Sequence, residues 1–176
     1  MEHERAIRRV GQLPVVVRYP GQLEEIDGII LPGGESTTMG KILRREGLLE
    51  PLREKIEGGL PVWGTCAGMI LLAKELENDP TVCLGVMDIT VRRNAYGSQI
   101  DSFSVEREIP EVAAGKVELV FIRAPYVTRV GRNVRALCEV EGHVVAAREG
   151  NMLATSFHPE LTDDTAFMDY FTRMLG

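Results

Sequence analysis

Val62-Trp63-Gly64-Thr65-Cys66-Ala67-Gly68-Met69 is the stretch whose reading decides the fold. The apolar run from Leu60 to Trp63 predicts a short buried strand. Met69-Ile70-Leu71-Leu72-Ala73, followed by Lys74-Glu75-Leu76, predicts a helix. Cys66 lies at the join, in the pattern G-x-C-x-G. That is the layout of a nucleophile elbow, with sulfur in place of the more usual Ser hydroxyl. The glycines suit a sharp turn at which strand and helix backbones come close. A Cys at a helix N-terminus meets the positive end of the helix dipole, which favours thiolate over thiol.

Working outward from the elbow, strands alternate with helices. Pro14 to Arg18 is β-branched and reads as a strand, and Asp27-Gly28-Ile29-Ile30-Leu31 reads as another that ends in Pro32-Gly33-Gly34. Residues 2–10 carry a short apolar stripe of Ala6, Ile7 and Val10. A helix from Ser36 or Thr37 has Met39, Ile42 and Leu43 on one face, and Leu49, Leu52 and Ile56 continue a helical pattern to Gly58-Gly59. This alternation predicts βαβ units in a three-layer α/β fold, flavodoxin-like, with a mainly parallel sheet flanked by helices. The second half changes character. Val82 to Val91 reads as strand with a break at Gly85, Val117 to Ile122 as a strong strand, and 134–140, 143–148 and 152–157 as short strands. Glu141-Gly142 and Gly150-Asn151 fall between them as hairpin turns. From Asp163 an amphipathic helix places Phe167, Tyr170, Phe171 and Met174 on one face. No linker or repeat divides the chain, so residues 1–176 are expected to form a single domain.

The totals exclude several classes. Basic residues number 20 against 26 acidic, a formal net charge of -6, which argues against a nucleic-acid binder working through bulk charge. Hydrophobic content of 44% and charged content of 26% suit a soluble globular protein, and no apolar run approaches the roughly 20 residues of a membrane span. The first ten residues lack the apolar core of a signal peptide. Cys66, Cys83 and Cys138 are too widely spaced for a disulfide framework or a metal site, so a cytoplasmic protein without a metal is expected.

A Cys nucleophile needs a base, an orienting acid and an oxyanion site. His3, in a charged terminal helix, and His143, beside a hairpin turn, read as surface residues. His158 stands at the end of a strand in Ser156-Phe157-His158-Pro159-Glu160. Residues two apart in an extended segment point the same way, so Glu160 can flank the His158 ring and fix its tautomer. Alone, His-Pro-Glu reads more readily as a capping His at a strand end with a solvated Glu nearby; beside a Cys elbow it becomes a candidate base with its orienter. The Ala67 N–H, immediately after the nucleophile, is one candidate oxyanion donor, and an N–H of Gly33-Gly34 is the other, because loops at strand C-terminal ends converge on one crevice. Gly34 to Ile42 fails the phosphate-cradle pattern, with Glu35 where Gly is needed and Ile42 where Ser or Thr is needed. The residues support a Cys-His-Glu hydrolase or acyl transferase without naming the acyl group.

Gly64-Thr65-Cys66-Ala67-Gly68 together with Phe157-His158-Pro159-Glu160 resembles the class I, triad-type glutamine amidotransferases. Leu31 through Thr38, Arg93-Asn94-Ala95-Tyr96-Gly97, Asp101-Ser102-Phe103, Phe121-Ile122-Arg123-Ala124-Pro125 and Ser156 through Thr162 narrow the likeness to the glutaminase subunits of pyridoxal 5'-phosphate synthases, over almost the whole chain. The resemblance implies that Cys66 attacks the side-chain amide of L-glutamine, that His158 handles the proton and that Glu160 orients His158. It further implies that Gly34 and Ala67 bind the oxyanion, and that Gly34, Glu35, Ser36, Arg93, Ile122 and Arg123 bind glutamine, with no cofactor. It implies a partner, the synthase subunit that receives the ammonia, in a twelve-plus-twelve assembly, and no nucleic-acid or membrane partner.

One departure from the family pattern is expected to matter. Members begin with a strand that here would precede residue 1, between the strands at 14–18 and 28–31. Strands lie about 4.8 Å apart, so its absence implies a gap of roughly 10 Å between those neighbours. Two other readings stand beside the glutaminase: another Cys-elbow hydrolase, and a truncated chain that only binds or regulates the synthase.

Overall fold

The computed structural model describes residues 1–93 and 102–176. Helix α1 (Glu2–Arg9) is followed by strand β1 (Ile29–Leu31), helices α2 (Ser36–Arg45) and α3 (Leu49–Glu57), strand β2 (Val62–Thr65) and helix α4 (Ala67–Leu72). Strands β3 (Ala73–Leu76), β4 (Met87–Arg92), β5 (Ser102–Glu108), β6 (Lys116–Ile122), β7 (Tyr126–Val130), β8 (Arg135–Val140), β9 (His143–Glu149) and β10 (Met152–Thr155) come next. Helix α5 (Ala166–Met174) ends the chain.

The main sheet runs β1-β2-β10-β9-β7-β4-β3, with β8 on β9, and β5 and β6 form a separate two-stranded sheet. Parallel pairing joins β1, β2 and β10, and separately β3 and β4; the pairings that involve β7, β8 and β9 are antiparallel. The α/β expectation is met, but the sheet is mixed rather than mainly parallel: it is parallel over β1-β2-β10, antiparallel from β10 through β9 and β7 to β4, and parallel again at β4-β3.

Alternation along β2 shows the layers. Val62 belongs to a core with Leu49, Leu52 and Ile56 of α3 and Met69, Leu71 and Leu72 of α4. Trp63, its neighbour, points to the opposite face, into a core with Phe157 and with Phe167, Tyr170 and Phe171 of α5. The fully buried Trp63 indole donates to the Thr155 hydroxyl at 3.0 Å, so its one polar atom is satisfied. The apolar stripe of α1 packs on this second core.

Three further expectations are corrected. The helix after the elbow stops at Leu72, and Ala73–Leu76 is a strand, parallel to β4 with Ala73 opposite Met87 and Leu76 opposite Val91. Lys74 and Glu75 are exposed between buried Ala73 and Leu76, a spacing that fits an edge strand as well as a helical turn, and pairing with β4 decides. Strands β5 and β7 carry alternating or short apolar patterns that the sequence reading did not assign. Residues 14–18 are not a strand: the segment has no sheet partner among the described residues, and Val15 and Val16 stand half exposed. A cavity of about 480 Å³, lined by Val15, Val17, Ile29, Ile30 and Phe171 among others, lies between residues 14–18 and β1, where a gap was expected. A β-branched run gains a strand's hydrogen bonds only where a neighbour offers them.

Candidate active site

The C-terminal ends of β1, β2 and β10 lie side by side, because Leu31 pairs with Gly64 and Thr155 with Thr65. The loops that leave them therefore open into one crevice. After β2 the chain turns sharply at Cys66, whose φ of 52° and ψ of -106° are left-handed values that a side-chain-bearing residue adopts only when its surroundings enforce them. The Cys66 N–H is tied to the Thr155 carbonyl at 2.8 Å. The two glycines of the motif are required by contact: a Cβ on Gly64 would lie 2.5 Å from the Gly68 carbonyl, and one on Gly68 would lie 2.1 Å from the Leu31 carbonyl oxygen. Ala67 is the first residue of α4, so its N–H has no carbonyl one turn back in the helix.

After β10 the chain delivers His158 and Glu160. The Ser156 N–H donates to Val145 and the His158 N–H to Val120, both at 2.8 Å, so the segment is held from two strands. Pro159 opens a 3-10 turn at Pro159–Leu161. The His158 Nδ1 lies 2.6 Å from Glu160 Oε1, and the Glu160 side chain is only 8% exposed. Burial works against charge on His158, yet its hydrogen bonds with the Cys66 and Glu160 side chains and their negative charges outweigh burial and push it up to about 10. Burial likewise opposes charge on Glu160, but the hydrogen bond from His158 and the adjacent imidazoles hold it below the usual carboxylate range. The structure thus joins Cys66, His158 and Glu160 as one constellation, with His158 holding its proton at neutral pH.

The loop after β1 forms the opposite wall. Gly33 packs on His158: a Cβ there would come within 2.6 Å of His158 Cε1 and 3.7 Å of Cys66 Cβ. Gly34 has φ of 140°, a conformation that turns its peptide in a way other residues resist. Glu35 is the N-cap of α2. Its carboxylate accepts from the Thr37 and Thr38 N–H groups at 2.9 and 2.8 Å and from the Thr38 hydroxyl at 2.6 Å, which together bring it down to about 2. A cap so engaged leaves its backbone rather than its carboxylate to a ligand. Ser36, the first residue of α2, is buried.

Arg93 approaches the start of α2, with Nη1 3.4 Å from the Thr37 hydroxyl and Nη2 3.6 Å from Asp79, while its Nε is buried without a hydrogen-bond partner among the described residues. Asn94 through Asp101, part of the strings that carried the resemblance, lie outside the described residues. The Ile122 carbonyl, at the end of β6, is 4.0 Å from Cys66 Sγ, and Arg123 follows with φ of 45°. Of the residues proposed from the sequence, the Ile122 carbonyl lies by Cys66 and the glycine loop packs on His158, while Arg93 is seen against Thr37 and Asp79 at the start of α2.

One residue was placed wrongly. His3, read as a surface residue, sits beneath the site, its side chain 17% exposed and its Nε2 3.5 Å from Glu160 Oε2. Spacing could not signal this contact, because it joins the first helix to the loop before the last. His143 stacks on Tyr126 at the start of β9, with ring centroids 3.9 Å apart.

Known proteins resemble this chain over nearly its whole length. The family model described as the SNO glutamine amidotransferase family covers residues 1–176. A protein of Clostridium kluyveri named pyridoxal 5'-phosphate synthase subunit PdxT is 60% identical over 171 residues, 97% of this chain and 91% of the relative. One of the same name from Clostridium acetobutylicum is 53% identical over 174 residues, covering 99% and 94%. A crystal structure described as a glutamine amidotransferase superposes with a TM-score of 0.94 at 42% identity, covering 99% of this chain and 93% of that one.

Proposed function

Because the chain belongs to the SNO glutamine amidotransferase family, we propose that Cys66, His158 and Glu160 are the machinery with which it hydrolyses L-glutamine. The chain is a glutamine-hydrolysing enzyme of vitamin B6 synthesis, and its ammonia serves the synthase subunit that makes pyridoxal 5'-phosphate. The observation that carries the residue assignment is His158, held between the Cys66 and Glu160 side chains where three parallel strands end.

The Cys66 thiolate attacks the side-chain amide carbon of glutamine. The carbonyl oxygen gains charge and is met by the N–H groups of Gly34 and Ala67, where removing one such donor typically costs about 10²- to 10³-fold in kcat. His158, already carrying the proton, gives it to the departing ammonia. Acylation removes the sulfur's charge, one of the influences that raise His158, so the imidazole becomes a better match to the base that water needs. Water then cleaves the γ-glutamyl thioester and glutamate leaves. Glu160 fixes the His158 tautomer throughout. Gly34, Glu35, Ser36, Arg93, Ile122 and Arg123 frame the glutamine, with an Arg available to its carboxylate. No cofactor is required by these steps. In this reading residues 1–176 act as one cytoplasmic glutaminase domain in a twelve-plus-twelve assembly with the synthase subunit.

The test is glutamate release from L-glutamine by the chain alone and with the synthase subunit. Release that appears with the synthase and is lost in Cys66→Ala is expected. Release that survives Cys66→Ala would remove Cys66 from the chemistry, and a folded, synthase-bound chain with none would favour a binding role.

A further inference from the structure

Glu160 is nearly buried, and its two carboxylate oxygens face two different imidazoles. Oε1 meets His158 Nδ1 at 2.6 Å, and Oε2 meets His3 Nε2 at 3.5 Å. His3 Nε2 also lies 3.4 Å from the Thr65 hydroxyl, on the residue before the nucleophile. Thr65 is fully buried. We infer that His3, from the first turn of α1, is a positioning residue for the reaction: it braces Glu160 from behind and ties it to the strand end that presents Cys66. This rests on the assignment of Cys66, His158 and Glu160 above.

The alternatives for His3 are poor. An imidazole on a surface helix normally turns its ring to water, but here both ring nitrogens point inward, and Nδ1 is buried with no partner among the described residues. Leaving a buried ring nitrogen unpaired is costly, and what Nε2 has in return is the Thr65 hydroxyl at 3.4 Å and the Glu160 carboxylate charge at 3.5 Å. The Nε2 to Oε2 distance is long for a hydrogen bond, so closure of about half an ångström when substrate fills the crevice would complete it. Among the described residues Glu160 Oε2 is buried without a hydrogen bond, and His3 Nε2 at 3.5 Å is the group placed to supply one; without His3 the carboxylate could rotate away from His158 Nδ1.

The charge state suits the role. Burial holds His3 below the ordinary histidine range. The Glu160 charge pulls the other way, while the His158 charge and the N-terminal ammonium reinforce burial. A neutral His3 with its proton on Nε2 can donate to Glu160 without competing for the carboxylate's charge, which remains directed at the His158 imidazolium. The other ionisable groups near it are Glu2 and Glu4 on its own helix, with Glu25 and Asp27 on the far side of the shared cavity.

The test compares His3→Ala and His3→Gln with the parent, the glutamine amide being able to place an N–H near the position of Nε2. Two readouts are needed. The first is the pH profile of Cys66 alkylation by iodoacetamide in the chain alone, which reports the thiolate–imidazolium pair without glutamine. The second is kcat and KM for glutamine in the complex with the synthase subunit. His3→Ala is expected to lower kcat by roughly three- to tenfold, the weight of one hydrogen bond, with KM within twofold. It should also move the basic limb of the alkylation profile to lower pH, because a loosened Glu160 no longer supports the His158 charge. His3→Gln should recover most of both. Unchanged kcat and an unchanged alkylation profile in His3→Ala would overturn the inference. So would losses that His3→Gln shares in full and that track a fall in Tm, since that is the behaviour of a packing residue. If the parent complex proves inactive on glutamine, the alkylation profiles still decide the role of His3.

Discussion

Gly33 carries more of the site than its lack of a side chain suggests. The space a Cβ would take at this position is occupied by the imidazole of His158, at 2.6 Å from Cε1. Loop and ring are each fixed, the loop by the adjoining strand β1 and the ring by Glu160, so neither yields cheaply. Gly33→Ala is therefore expected to fold, because the loop borders an open crevice, and to lose about 10²-fold in kcat as His158 is pushed off line. Glutamate release in the synthase complex, with a thermal melt as control, checks this. Activity within twofold of the parent would show that the ring can move aside freely. Cys66, His158 and Glu160 could each be singled out in the sequence because each lies in a short motif, and the structure places the three side by side. His3 could not, because its partner lies at the other end of the chain and only the packing of α1 beside the 159–161 turn brings them together.

At the scale of elements, the same local logic made α2, α3 and β2 readable and failed at Ala73–Leu76 and residues 14–18. A helix start with a strong cap is a local event. Glu35 caps α2 with three accepted hydrogen bonds, and its acidity, down to about 2, measures how far the folded chain prefers the ionised form. A carboxyl depressed on folding contributes stability that is present above its unfolded value of about 4.5 and is lost as pH falls toward about 2. Glu35→Ala should thus lower Tm by a few degrees at pH 7, and the gap to the parent should narrow steadily between pH 4.5 and 2. A gap that stays constant over that range would mean that the cap's charge is irrelevant. By contrast, whether Ala73–Leu76 is strand or helix, and whether 14–18 is strand or bare extended chain, depends on what lies alongside. Ala73–Leu76 finds β4; residues 14–18 face the cavity beside β1. No window of sequence contains that information.

Across the whole molecule, the site is where the two cores meet. Cys66 follows a strand whose Val62 and Trp63 enter opposite cores, and His158 follows Phe157, a fully buried member of the second. Protonation of His158 is therefore coupled to the stability of the entire fold. Its pKa rises from 6.5 to about 10 on folding, so between those values the folded state holds a proton that the unfolded state has released. The stability this supplies is fully present below about pH 6.5 and is lost as pH climbs through about 10. Thermal melts of the parent should show Tm falling across that window. In His158→Asn the fall should be shallower, leaving only the contribution of other groups, so the two curves converge toward pH 10 even though the variant starts lower for want of the buried contact to Glu160. Parallel curves would mean that His158 enters and leaves the fold with its ordinary acidity, and that the charge held against Cys66 and Glu160 adds nothing to the fold. Converging curves would tie the proton that leaves with ammonia to the same interaction that locks the two loops onto their strands.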